Sequence, residues 1–399
     1  MKKCLDDLAI FGGNPAFREK LHVGRPNIGD RKRLMERIND LLDRRWLTNN
    51  GPYVQAFEKK IAEIVGVRNC IATCNATTAL ELAIRALGLS GEVIVPSFTF
   101  VASAHALLWQ GIKPVFCDID PRTHNIDPSH AEEAITPHTT GIMGVHVWGR
   151  PCNADALTEI AQRRNVKLLF DAAHAFACSY KGRMIGTLGD AEVFSFHATK
   201  FLNTFEGGAV VTNDDELAAK IRLMKNFGFA GYDNVVSIGT NAKMSEVSGA
   251  MGSTSLESME EFIAVNYRNY KHYQDQLANL SGVSIAQYDE REKCNYQYIV
   301  LEIDETTTEV GRDQFQKILW AENVLARRYF YPPCHEMEPY RFCHPKPGHL
   351  LVETERLSKR VLSLPTGTAM DVKSIDAVCD ILKFVVTHGR EICQRMEQS

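Results

Sequence analysis

Among its 399 residues the chain has no apolar run near the ~18–20 residues that cross a bilayer, so no ordinary membrane-spanning helix is expected. It has no surplus of one charge either. Lys and Arg total 45 against 49 Asp and Glu, and the formal net charge of −4 gives no electrostatic case for nucleic acid or an anionic membrane. Lysines stand at positions 2 and 3, but Asp6 and Asp7 interrupt any apolar core of a signal peptide. Internal repeats, low-complexity tracts and a long linker are missing. The 11 cysteines are scattered. Cys70 and Cys74 lie four apart, and no second pair stands at metal-ligand spacing, so no metal is expected and the cysteines read as reduced thiols behaving as small apolar residues. These absences together predict a cytoplasmic protein.

What is present is ordinary for a globular protein: 45% hydrophobic and 24% charged residues. The length suits one large domain and one smaller one. From about Tyr53 to Ser255, short apolar runs alternate with helical patterns. Strands are predicted at Asn69–Thr73, Glu92–Val95, Pro114–Asp118, Gly141–His146, Lys167–Asp171, Ala191–Phe196 and Gly208–Thr212. Amphipathic stretches such as Thr78–Leu87 and Ala154–Arg164 lie between them. This alternation predicts an α/β domain with a mainly parallel sheet covered on both faces by helices. After about residue 256 the pattern changes. Tyr296–Ile303 alternates like a half-exposed strand, and Arg312–Glu322 and Asp371–Val386 read as helices. Ile375, Val378, Cys379, Leu382 and Val386 form one apolar face of the last helix. The reading divides the chain into an N-terminal arm and large α/β domain over 1–255 and a small α+β domain over 256–399.

Two ionisable residues stand out. Asp171 ends the run Leu168-Leu169-Phe170-Asp171, and Lys200 closes Ser195-Phe196-His197-Ala198-Thr199-Lys200. One amine can join an aldehyde as a Schiff base, and one carboxylate can keep a pyridine nitrogen protonated. Pyridoxal phosphate (PLP) needs both from a protein to act as an electron sink. Most lysines are solvated, and most strand-end aspartates are turn residues, so context decides. In open α/β sheets ligands sit at the carboxyl ends of strands, where Asp171 and Ser195 fall. Ser195 can hold a phosphate oxygen. A buried Lys200 would have its amine pKa lowered and could act as the base. His174 can bond a phenolic oxygen of the cofactor or serve as a satisfied core histidine. Asn75-Ala76-Thr77-Thr78 leads from a strand into a helix beginning near Thr77, whose free N–H groups would suit phosphate, though Thr and Asn also cap helices without any ligand. Phe100, past another strand end, can stack on a ring or join the core. Gly207-Gly208 lets backbone turn sharply or pass close to a cofactor.

These segments also carry a resemblance. The chain resembles the sugar aminotransferases of the DegT/DnrJ/EryC1/StrS group, which have the type I PLP-dependent (aspartate aminotransferase) fold with a seven-stranded sheet. The resemblance rests on Trp46–Pro52, Pro96–Ser103, Phe116–Asp120, Phe170–His174, Ser195–Lys200, Glu206–Gly208, Gly239–Glu246 and Leu364-Pro365, in that order. It implies that Lys200 binds PLP covalently, Asp171 meets the pyridine nitrogen, His174 lies by the phenolic oxygen and Phe100 stacks on the ring. Ser195 and the Asn75-Ala76 backbone would hold the phosphate. Asn241 would reach the phosphate in the other subunit of an obligate homodimer. Within the group the chain is similar to enzymes that aminate C4 of a dTDP-4-keto-6-deoxy-D-glucose, of desosamine and viosamine type, through Leu8–Gly13, Val23–Pro26, Ala72–Ala76, Gly144–Cys152, Asn226–Gly228 and Leu364–Thr368. L-glutamate is the implied amino donor. Asn75-Ala76-Thr77 departs from the group's usual Ser-Gly-Thr. Tyr329 and Tyr331 are the candidate sugar contacts. The alternatives are a 3-keto-sugar aminotransferase, a PLP-dependent dehydratase (relatives of that kind carry His in place of the lysine), and a non-catalytic protein of the same fold.

Overall fold

The computed structural model describes residues 2–342 and 350–398. Seven strands form one sheet in the spatial order Asn69–Thr73, Gly208–Thr212, Ala191–Ser195, Lys167–Asp171, Thr139–Val145, Glu92–Pro96, Lys113–Cys117. Only Gly208–Thr212 runs antiparallel to its neighbours. This is the α/β fold expected, and each of the seven strands predicted before residue 256 is present to within two residues at either end.

The strands lack an exposed face because both faces are covered. Leu168 and Phe170 enter one hydrophobic cluster with Phe57 and Leu157, while Leu169 enters the other with Leu80 and Ala83. The period-two alternation of a strand therefore divides one continuous apolar run between two helix layers. The flanking helices start where short polar side chains accept from free amides. Asn75 caps Ala76–Ala86 by accepting from Thr78 N, and Asn153 caps Ala154–Arg164 by accepting from Ala156 N.

After the helix Glu246–Glu257, the long helix Met259–Leu277 leads to a three-stranded antiparallel sheet. Its order is Val283–Ile285, Ile299–Ile303, Val361–Leu364. The helices Arg312–Ala321 and Val372–Thr387 belong to the same region. Two expectations need correction here. The strand predicted from Tyr296 as half-exposed starts at Ile299, because Tyr296 takes a left-handed φ of 48°. Only Glu302 in it is not buried. Ile299, Leu301 and Ile303 pack into the main core, and on the other face Tyr298 and Val300 pack against Phe98, Trp148 and Phe330. In the helix Val372–Thr387, which the sequence reading took as the last and which Gly389–Glu397 follows, Val385 rather than Val386 is fully buried. The N-terminal segment also packs here. Leu21–His22 pairs in parallel with Val324–Leu325, and the buried Glu322 carboxylate accepts from Ala9 N and Ala16 N.

Candidate active site

The carboxyl ends of the parallel strands open onto a cavity of about 370 Å³. Asn75, Ala76, Phe100, Asp171, His174, Ser195, Lys200 and Tyr329 all line it. Chain topology brings them together: Asp171 and Ser195 end adjacent strands, Asn75 follows a third, and Phe100 lies past a fourth.

Asp171 is 5% exposed. Its Oδ2 accepts from the Ser103 hydroxyl at 2.7 Å, and its Oδ1 accepts from Ala173 N at 3.0 Å. Burial pushes its pKa up; the two donors and the Lys200 charge oppose that. Lys200 is shifted down to about 8, because burial penalises the ammonium more than Asp171 restores it. Its Nζ donates to the Tyr298 hydroxyl at 3.4 Å. His174 is held well below its ordinary pKa, by burial first and by Lys200 second. The Trp148 amide donates to its Nδ1 at 3.1 Å, so the ring is neutral and carries its proton on Nε2. The ring lies parallel to Phe330, with centroids 5.9 Å apart.

The cradle is a helix N-terminus. Asn75 uses its side chain on Thr78 N, and among the described residues nothing accepts from Ala76 N or Thr77 N. The antiparallel strand begins directly against this turn: a Cβ on Gly208 would lie 2.6 Å from Ala76 N and from the Asn75 carbonyl carbon. Ser195 pairs across the sheet with Gly208. Phe100, 56% exposed, caps the helix Val101–Leu108 from the pocket side.

Two predicted residues are absent from the cavity. Asn241 is exposed on the surface, bridged to Asn226. Tyr331 is turned away from the cavity: its ring lies against the Arg312 and Arg328 guanidinium groups, each 4.7 Å from the centroid, while Tyr329 and Phe330 take the pocket wall. Cations held over the ring face orient it toward a neighbouring cavity, which shares Phe100, Arg327, Tyr329 and Phe330 with the first.

The model of the DegT/DnrJ/EryC1/StrS aminotransferase family matches residues 29–383. The dTDP-4-amino-4,6-dideoxy-D-glucose transaminase of Shigella dysenteriae is 39% identical over 380 residues, covering 94% of this chain and 100% of the relative. The GDP-perosamine synthase of Caulobacter vibrioides is 34% identical, covering 92% and 98%. The crystal structure of DesI with its TDP-sugar product superposes with a TM-score of 0.95 at 52% identity, over 99% of this chain and 100% of that one. The chain belongs to the DegT/DnrJ/EryC1/StrS aminotransferase family.

The family's cofactor is PLP, and the pocket fits it. The test is local. The helix turn offers two unclaimed amides to an anion, in a space that a methyl group on Gly208 would crowd. The buried Asp171 carboxylate, its pKa raised, gains from a cation placed beside it. Sequence reasoning missed Tyr298, Ser103 and Arg327. Tyr298 and Arg327 line the cavity, and Ser103 binds Asp171. Ser103 carried a signal, since it lies four residues after Thr99 on the helix that Phe100 opens. Tyr298 had none, because its contact with Lys200 depends on how the second sheet docks.

Proposed function

We propose that this aminotransferase moves the amino group of L-glutamate to C4 of dTDP-4-dehydro-6-deoxy-D-glucose, giving dTDP-4-amino-4,6-dideoxy-D-glucose and 2-oxoglutarate. The observation that carries the reading is a depressed lysine and a buried aspartate in one pocket. Likeness over nearly the whole chain to a transaminase named for dTDP-4-amino-4,6-dideoxy-D-glucose, and to a crystal structure described with a TDP-sugar product, supports it.

When bound, PLP would accept the electron pair left as a C–H bond breaks. The protein's own groups do the rest. Lys200, neutral over much of the range above pH 8, takes the α-proton of glutamate and later returns a proton to sugar C4. Asp171 would keep the pyridine nitrogen protonated; a cation beside it offsets the burial that raises its pKa. His174 would donate through Nε2–H to the phenolic oxygen. Ser195 and the amides after Asn75 would hold the phosphate, and Phe100 would cover the ring. Tyr329, in the same wall, is the sugar-side contact of the reading.

A homodimer with shared sites belongs to the same reading. The hairpin Phe229–Gly231/Asn234–Val235 leaves Phe227, Phe229, Tyr232, Val235, Val236 and Ile238 exposed, more apolar surface than a solvated hairpin tolerates. Asn241 is tied to its base through Asn226. Asn241 would thus serve the pocket of the other subunit rather than its own. The division near residue 255 is part of the proposal too, with the arm before Leu21–His22 placed on the smaller domain. A cytoplasmic setting is supported by the free state of the ten described cysteines.

The experiment offers dTDP-4-dehydro-6-deoxy-D-glucose, its 3-dehydro isomer, and the UDP and GDP 4-dehydro counterparts, each with glutamate. Fastest 2-oxoglutarate release with the dTDP 4-keto sugar is expected. Preference for the 3-keto isomer or for the GDP sugar would replace the assigned substrate, and a deoxygenated keto sugar formed in place of an amino sugar, with the glutamate nitrogen released as ammonia, would replace transamination by dehydration.

A further inference from the structure

The lysine meets one polar side chain that comes from the far end of the molecule. Tyr298 immediately precedes the strand Ile299–Ile303 and is 7% exposed. Its ring packs 4.6 Å from that of His174, and its hydroxyl accepts from Lys200 Nζ at 3.4 Å. The backbone around it is pinned. The Tyr288 hydroxyl donates to the Tyr298 carbonyl at 2.7 Å, and the Asn295 side-chain amide donates to the carbonyls of His174 and Phe176. Gln297 Oε1 accepts from Phe201 N, the residue after the lysine. The run Asn295–Tyr298 therefore grips both the loop that carries His174 and the loop that carries Lys200.

We propose that Tyr298 is a positioning residue: its hydroxyl holds the Lys200 amine against the pocket wall beside His174 whenever that amine is free, between the two proton transfers. This rests on the function proposed above. A free lysine side chain has four flexible carbons and many rotamers, and a base acts well only when it is held within reach of the proton it moves. Burial keeps the phenol protonated, so the oxygen accepts from an ammonium and the O–H can donate to a neutral amine. The other titratable groups lining the pocket are Asp171, His174, His197, Glu206, Arg327 and Tyr329. Tyr298→Phe removes the oxygen and keeps the ring that packs against Trp148 and Phe330.

Two readouts decide. In cofactor-free protein, the rate at which Lys200 takes up PLP is followed by visible absorbance across pH. The bond to the ammonium is charge-assisted and stronger than that to the neutral amine, so losing the oxygen destabilises the ammonium more, and the midpoint in Tyr298→Phe is expected about half a pH unit below that of the wild type. In PLP-loaded protein, the single-turnover reaction with glutamate is expected to slow by roughly 10–100-fold, with glutamate affinity and melting temperature nearly unchanged. A merely structural role would lower the melting temperature and leave the midpoint in place. Coincident midpoints, with single-turnover rates within about twofold, would overturn the proposal. A wild-type protein that takes up PLP but ignores glutamate would defeat the amino-donor assignment instead, and the midpoint comparison would still decide the role of Tyr298.

Discussion

Within the pocket, single residues set the chemistry through what burial does to charge. The Lys200 amine titrates near 8 rather than 10.5, because the cavity disfavours the ammonium. Below pH 8 the amine is protonated and cannot accept a proton from substrate; above it the neutral form dominates. The glutamate half-reaction of the loaded enzyme should therefore fall on the acid side once the lysine is released, and Lys200→Ala should abolish it, by roughly 10³-fold or more, as expected for loss of both base and covalent anchor. A Lys200→Ala protein that still turned over would remove the residue from its role. Asp171→Asn makes a different forecast. A buried carboxylate with a raised pKa costs the fold, so the neutral amide should leave the cofactor-free protein melting no lower than wild type. The same change should weaken the half-reaction by roughly 10²-fold or more, because the ring nitrogen loses its counter-charge. Melting curves beside single-turnover rates separate the two effects; a large drop in melting temperature would show that Asp171 is structural. Asp171 and Lys200 were legible in the sequence because each follows an apolar strand at its carboxyl end. Tyr298 was not, since its bond to Lys200 joins positions 98 residues apart.

At the scale of elements, the large sheet was readable and the small one less so, for one reason. A strand buried on both faces writes itself as a short run of apolar residues between turns, as Lys167–Asp171 and Gly208–Thr212 do. In Tyr296–Ile303 the alternation of polar and apolar residues looked like solvent on one side, yet the polar-looking face carries Tyr298 into the pocket and Val300 against Trp148. Periodicity reports a change of environment from residue to residue, not what the second environment is. The junction between the strand starting at Gly208 and the helix Ala76–Ala86 shows how tightly elements are fitted. Gly208→Ala would drive a Cβ to 2.6 Å from Ala76 N, a contact against backbone that no rotamer relieves. Overpacking of this kind costs about 1–3 kcal/mol, and here it also displaces the amides of the cradle. A PLP titration of Gly208→Ala should show affinity reduced by roughly tenfold or more, together with a lower melting temperature. Unchanged cofactor affinity would mean that the turn is not where the phosphate binds.

For the whole molecule, the informative fact is a mismatch between the pocket and the surface. The pocket contains every predicted cofactor contact except Asn241, which stands exposed beside an apolar hairpin. In the homodimer proposed above, Asn241 enters the site of the second copy rather than that of its own chain. The consequence is arithmetic. Asn241→Ala and Lys200→Ala proteins should each be impaired alone. When they are unfolded and refolded together in equal amounts, half of the dimers formed are mixed. In a mixed dimer one site has lost both groups, and the other has Lys200 from one chain and Asn241 from its partner. One site in four is then intact, so the mixture should recover about a quarter of wild-type activity. Residues acting within one chain would recover nothing, because no reassortment of subunits could then place both in one site. The activity of the refolded mixture, measured against each variant refolded alone, thus tests the shared site without any assumption about which sugar is aminated.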